Sequence, residues 1–182
     1  MLQQQPMLGL ALGGLAAMSC ATVASGITRT WDGGAGTLSW HDAANWNPNG
    51  APQFPGIGGQ ADDVIIDVPG QTVTIVYNNP GTTPLRTFTC QENLLFMSGG
   101  IYVETGTAVI NGTVRLDGGR LGYLAPSAPW QINGGPLTVS ANPGNRILHV
   151  PIHADIWLAD PGSLLRIRGH NVIPTDRAVR LI

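Results

Sequence analysis

The chain has 182 residues, enough for one domain with a real core but not comfortably two. Its net charge is −2, only 11% of residues are charged, and all nine positive charges are arginine, so no basic field exists for nucleic acid or an anionic membrane. Twenty-five glycines and 14 prolines demand frequent turns, which disfavours long helices and favours short strands.

No charged side chain precedes Arg29, and Met7 to Ser25 is a Leu/Ala/Gly-rich run closing on Ala24-Ser25-Gly26. This pattern predicts a secretory signal peptide over residues 1–26, and no membrane span once it is cleaved. The stretch Met1-Leu2-Gln3-Gln4-Gln5 carries no Lys or Arg, which leaves a retained N-terminal anchor as the alternative, since the apolar run is just long enough to span a bilayer. An acylated Cys20 is a weaker reading, because Ala17-Met18-Ser19 lacks the usual aliphatic residue three positions earlier.

Next comes a Trp- and Gly-rich segment, residues 27–61. Three of the five tryptophans, Trp31, Trp40 and Trp46, fall within 16 residues there, among Gly33-Gly34, Asn45 and Pro52. From Asp62 onward, over residues 62–182, the apolar pattern has period two. Val64, Ile66 and Val68 share one face, and Val73, Ile75 and Tyr77 share another while the threonines between them point out. Asn93–Met97, Ile101–Glu104, Thr113–Leu116, Leu137–Ser140, Ile152–Leu158 and Leu164–Arg168 read as further short strands bounded by turn residues. Cys90 shares parity with Phe88, which predicts a small buried hydrophobe; a catalytic thiol would want a histidine or positive field close by.

The turns repeat: Ser98-Gly99-Gly100, Asp117-Gly118-Gly119 and Asn133-Gly134-Gly135 each lead into a strand, at spacings near one coil of a solenoid. Glycines permit the sharp corners at which a coil changes direction. The pattern predicts an all-β chain folded as a right-handed parallel β-helix of four or five coils, with the Trp-rich segment as its N-terminal cap. A β-sandwich is the alternative, and Asn111-Gly112 is the one clear hairpin signal in its favour.

Trp31-Asp32-Gly33-Gly34, Trp40, Asn45-Trp46, Pro52 and Asp62-Asp63-Val64-Ile65-Ile66, followed by the Gly-Gly strand entries, resemble the N-terminal part of bacterial secreted or cell-surface parallel β-helix proteins. These are the autotransporter-like and haemagglutinin-like passengers of the pectin-lyase-like group. A fainter likeness is to the G8 module, an extracellular β-rich unit. The resemblance covers about residues 28 to 140 and implies export, a right-handed β-helix, and adhesion or display at the cell envelope. Members of the group are usually longer and often carry a C-terminal barrel, sorting tail or docking module, so an uncapped C-terminal end, a truncated product and self-association through that end are all expectations.

Trp31, Trp40 and Trp46 are the candidate binding residues, because flat aromatic faces suit sugar CH groups; the competing and favoured reading is that they close the open end of the first coil. Asn45 and Asp42 would then bond to free backbone groups of the loop. Asp62 and Asp63 point to opposite faces of a strand, and Asp63 and Asp67 lie about 13 Å apart on one face, so solvated edge charges are expected there rather than a calcium or catalytic pair. His153 and Asp155, about 7 Å apart along a strand, are weak candidates for one metal, with His149 at the same parity. Arg166, Arg168 and His170 make a small basic stripe. No Gly-x-Ser-x-Gly, His-Glu-x-x-His, phosphate loop or Cys-x-x-Cys occurs, and no cofactor is predicted.

These residues point to an exported, non-enzymatic β-solenoid with a structural, adhesive or carbohydrate-contact role, secreted or held at the cell surface or in the periplasm. Its expected partner is a polysaccharide or an envelope component. A polysaccharide lyase or glycoside hydrolase on the same fold is the alternative, requiring acidic groups to converge across neighbouring coils.

Overall fold

The computed structural model describes residues 26–53, 61–122, 128–169 and 173–182. The leader-like run with Cys20, and His170, lie outside the described residues.

The chain is a parallel β-solenoid of about six turns, with almost no helix. Its strands, in order, are β1 (Thr28–Trp31), β2 (Trp46–Asn47), β3 (Asp62–Ile66), β4 (Thr74–Cys90), β5 (Asn93–Val103), β6 (Ala108–Ile110), β7 (Val114–Leu116) and β8 (Arg120–Gly122). They continue as β9 (Trp130–Ile132), β10 (Leu137–Val139), β11 (Arg146–Leu148), β12 (Ile152–His153), β13 (Ile156–Leu158), β14 (Arg166–Arg168) and β15 (Val179–Leu181).

Strand register sorts these into three faces. The first runs β1, β3, the end of β4, β6, β9 and β12. The second runs through the start of β4, the start of β5, β7, β10, β13 and β15. The third runs from the middle of β4 through the end of β5 to β8, β11 and β14. Among the described residues every pairing is parallel except that of β1 with β2, which excludes a β-sandwich.

The solenoid has more coils than the four or five expected, because three strands, their corners and a return need only about twenty residues. Register partners Thr74–Asn93, Leu94–Val114, Val114–Leu137 and Leu137–Ile156 step by 19, 20, 23 and 19 residues. Strands expected to be separate are also fused. Tyr77 and Leu85 belong to one strand, β4, and Phe96 and Ile101 to another, β5, because ladder pairing continues through the bends between faces.

Asn111-Gly112 is not a hairpin. The strands on either side of it, β6 and β7, lie on different faces and pair with different partners. Close approach explains the glycine: a Cβ on Gly112 would lie 2.1 Å from the Glu92 carbonyl oxygen, and one on Gly134 would lie 2.3 Å from that of Gly112. Gly134 therefore stacks on Gly112, not on Gly118. The third Gly-Gly pair marks a different corner from the first two.

Alternation sends one residue of each pair inward. Val64, Ile66, Ile75, Tyr77, Phe88, Cys90, Leu94, Phe96, Val114, Leu116, Leu137 and Val139 form one continuous core. Along its axis the rings touch in sequence: Trp31 on Trp46, Trp46 on Trp40, Trp40 on Tyr77 and Phe88, and Phe88 and Phe96 on Trp130.

Candidate functional site

The tryptophan cluster was the first candidate. Residues 28–47 lay a partial extra layer over the first coil. β1 pairs with β3, and residues 38–40 run beside β4, with the Trp40 N–H donating to the Val76 carbonyl and the Val76 N–H to that of Leu38. Asn45 anchors the loop: its buried amide donates to the carbonyls of Thr37 and Ser39, and its Oδ1 accepts from the Ala35 N–H. Asp42 accepts from the Ala44 N–H and the Thr37 hydroxyl. Trp46 Nε1 donates to the Trp40 carbonyl at 2.8 Å. Trp31, Trp40 and Trp46 are 4%, 0% and 0% exposed, so none offers a ring face to solvent.

Asp62 and Asp63 are not the solvated edge charges expected. Asp62 is fully buried and bonded to Arg29, which is itself buried and reaches the Pro48 carbonyl. The expectation failed because it counted strand parity alone, and Arg29 on the neighbouring strand supplies the partner. Asp63 takes a two-pronged contact from Arg86 and a hydrogen bond from Thr87, and the Arg86 bond holds its carboxyl below the usual range against the opposing effect of burial. Asp67 is exposed.

His153 ends β12 on the first face, exposed, whereas Asp155 lies beyond the next corner and accepts from the Ala178 N–H. His149 turns at φ 49° with its ring against Gly169. Among the described residues no three His, Cys, Asp or Glu side chains converge on a point that would hold a metal. Cys90 is buried, its thiol donates to the Glu92 carbonyl, and burial pushes its pKa up to about 12.

What the coil does build is polar columns at its corners. Asn111 donates to Gln91 Oε1 at 2.8 Å and accepts from Asn133 Nδ2 at 2.7 Å, so one exposed side chain from each of three coils joins a single ladder. Asn93 Oδ1 beside it takes both the N–H and the hydroxyl of Thr113. On the third face Arg120, Arg146 and Arg166 occupy one register column. In the sequence only Arg166 of the three stands out, in the stripe with Arg168 and His170, because 26 and 20 residues separate the members of the column.

Shallow grooves open on the surface. One, of about 190 Å³, is bordered by Arg120, Arg146, Ser98 and the corner glycines. Another, of about 240 Å³, is lined by His41, Tyr77, Asn79 and Thr82. In the latter the His41 and Tyr77 rings meet edge to face, and the Tyr77 hydroxyl bonds to Thr83 at 2.8 Å. Burial lowers the His41 pKa and raises that of Tyr77, so both rings are held neutral around pH 7.

Comparison with known proteins adds no relative: no family model, no curated protein and no solved structure matches this chain. No helix among the described residues is long and apolar enough to cross a membrane.

Proposed function

We propose that the protein is an exported, non-enzymatic β-solenoid that contacts polysaccharide at or outside a bacterial envelope, in the manner of the secreted β-helix passengers its N-terminal segment resembles. The observation that carries this reading is the exposed ladder Gln91–Asn111–Asn133, one amide per coil. A surface that repeats its hydrogen-bonding groups every ~4.8 Å suits a ligand that repeats its own, and a monosaccharide unit of a linear glycan has about that length. Shallow polar grooves favour an extended chain over a small molecule, which typically needs an enclosed, mostly apolar pocket. The carboxylates support a structural reading, since Asp62, Asp63 and Asp160 are each held by an arginine.

A polysaccharide array tests the proposal. Binding to one or more linear glycans is expected, with Asn111→Ala and Asn133→Ala each weakening it while melting stays within a few degrees of wild type. Absence of binding to every linear glycan would falsify the reading.

Self-association belongs to the same proposal. β15 exposes Val179 and Leu181 at 51% and 81%, and an apolar strand edge of this kind invites pairing. Light scattering across a concentration series should then show dimers that Leu181→Lys dissolves.

A further inference from the structure

We infer that His41 is a pH-operated gate on the Tyr77 groove: neutral, its ring closes against Tyr77, and taking up a proton turns it out into solvent and opens the groove towards the aromatic core. The gate is independent of the carbohydrate reading, since it needs no ligand.

The backbone around His41 is fixed and its side chain is not. Trp40, immediately before it, is fully buried; its N–H donates to the Val76 carbonyl and its carbonyl accepts from Trp46 Nε1. Asn45, four residues on, is buried and bonded to the carbonyls of Thr37 and Ser39. The freedom left between these two anchors is mainly that of the imidazole. Its neighbour is the Tyr77 ring, 4.7 Å away and edge to face. Trp40 and Phe96, both fully buried, flank Tyr77 at 5.7 and 5.6 Å. His41, half-buried, is the member of this ring cluster that reaches the surface.

Nε2 of that ring is buried and has no hydrogen-bond partner among the described residues. Neutral imidazole can leave this nitrogen as an unused acceptor. Imidazolium cannot, because both nitrogens of the cation are donors. Whichever nitrogen takes the added proton, a charged N–H stands at Nε2 with neither acceptor nor water, and burying a charge that way is costly.

No neighbouring group offsets that cost. Asp42, next in the chain, accepts from the Ala44 N–H and the Thr37 hydroxyl. On β4 the titratable group facing His41 is Tyr77 itself, whose hydroxyl is bonded to Thr83. Residues 51–53, which line the same groove, are Ala51, Pro52 and Gln53, and none is charged. Arg120, bonded to Thr82 at the groove, brings a like charge. Burial thus holds the imidazole below its ordinary pKa of 6.5. The open ring takes a proton more readily than the closed one, so closure is favoured above about pH 6.5 and loses that preference as pH falls below it. With the ring out, Tyr77 joins Asn79 and Thr82 in lining a groove of about 240 Å³.

Proton NMR of the full chain, titrated from pH 7.5 to 4.5, tests the gate. The His41 ring should titrate below 6.5, its cross-relaxation with the Tyr77 ring should vanish in the protonated form, and the Tyr77 ring shifts should follow the same curve. His41→Phe, which keeps a ring on Tyr77 but cannot titrate, should hold the Tyr77 shifts constant across the range and lose less melting temperature on acidification than wild type. Asp42→Asn should leave the response in place. A His41 ring that titrates at or above 6.5, or that stays in contact with Tyr77 once protonated, overturns the gate on the wild-type chain alone. Tyr77 shifts that move equally in His41→Phe, or that stop moving in Asp42→Asn, overturn the assignment to His41.

Discussion

Arg29 Nε donates to Asp62 Oδ2 at 2.8 Å, and the two side chains are 3% and 0% exposed. The pair joins β1 to β3 exactly where the extra N-terminal layer meets the first coil. Arg29 also donates to the Pro48 carbonyl at 2.8 Å, which ties the loop after β2 to the same point. A buried ion pair is weak evidence of stability in itself, but breaking one strands a charge out of water.

Asp62→Asn should therefore destabilise the protein by about 3–5 kcal/mol. Replacing both partners with apolar residues, as in Arg29→Met with Asp62→Leu, should cost clearly less than the two single changes added together. Denaturant unfolding of the four chains measures the coupling. Single changes costing under about 0.5 kcal/mol, the level of a surface substitution, would mean that the pair is not isolated from solvent.

Trp46 fills the interior between Trp31 and Trp40, with ring centroids 5.1 and 4.9 Å away. Trp46→Ala should cost about 3–5 kcal/mol through the cavity it leaves, seen as a lower and broader thermal transition. A variant that stayed fully folded while losing glycan binding would show the cluster to be a ligand platform instead.

Glu92 is 3% exposed, and its two carboxylate oxygens accept from the Val68 and Val73 N–H groups at 3.0 and 2.9 Å. It closes the loop between β3 and β4 from a neighbouring coil. Glu92→Ala should cost about 2 kcal/mol or more by leaving those donors without a partner, and Glu92→Gln, which keeps an acceptor oxygen, should cost less. Hydrogen exchange at the Val68 and Val73 amides reads the loss directly: unchanged protection in Glu92→Ala would contradict the role.

Cys90 stays a neutral thiol in the fold, its pKa raised by burial from 9.0 to about 12. An unfolded chain ionises near 9.0, so above that pH the unfolded state binds fewer protons than the native one. The stability tied to this group is thus present below pH 9 and lost as pH rises from about 9 towards 12. In a Cys20→Ser chain a disulfide reagent at pH 8 should react with Cys90 only as fast as the protein opens, and Cys90→Ala should flatten the alkaline limb of the melting profile. Full-rate labelling of the native chain would show the thiol to be accessible.

Much of the architecture was determined by the sequence alone. Alternation places Val64, Ile66, Ile75, Tyr77 and Phe88 inside because a strand turns every second side chain the same way. Tertiary structure decided everything that depends on which coil lies above which. The loops between strands differ in length, so no fixed spacing brings Arg120 over Arg146 and Arg166, or Gln91 over Asn111 and Asn133. Asp62 reads as a surface charge until β1 sets Arg29 beside it, and nothing in the sequence singles out Glu92 until two amides of a neighbouring coil close on its carboxylate. Strand parity is local and survives in the one-dimensional chain; register between coils is set by packing the aromatic core, and exists only once the coils have stacked.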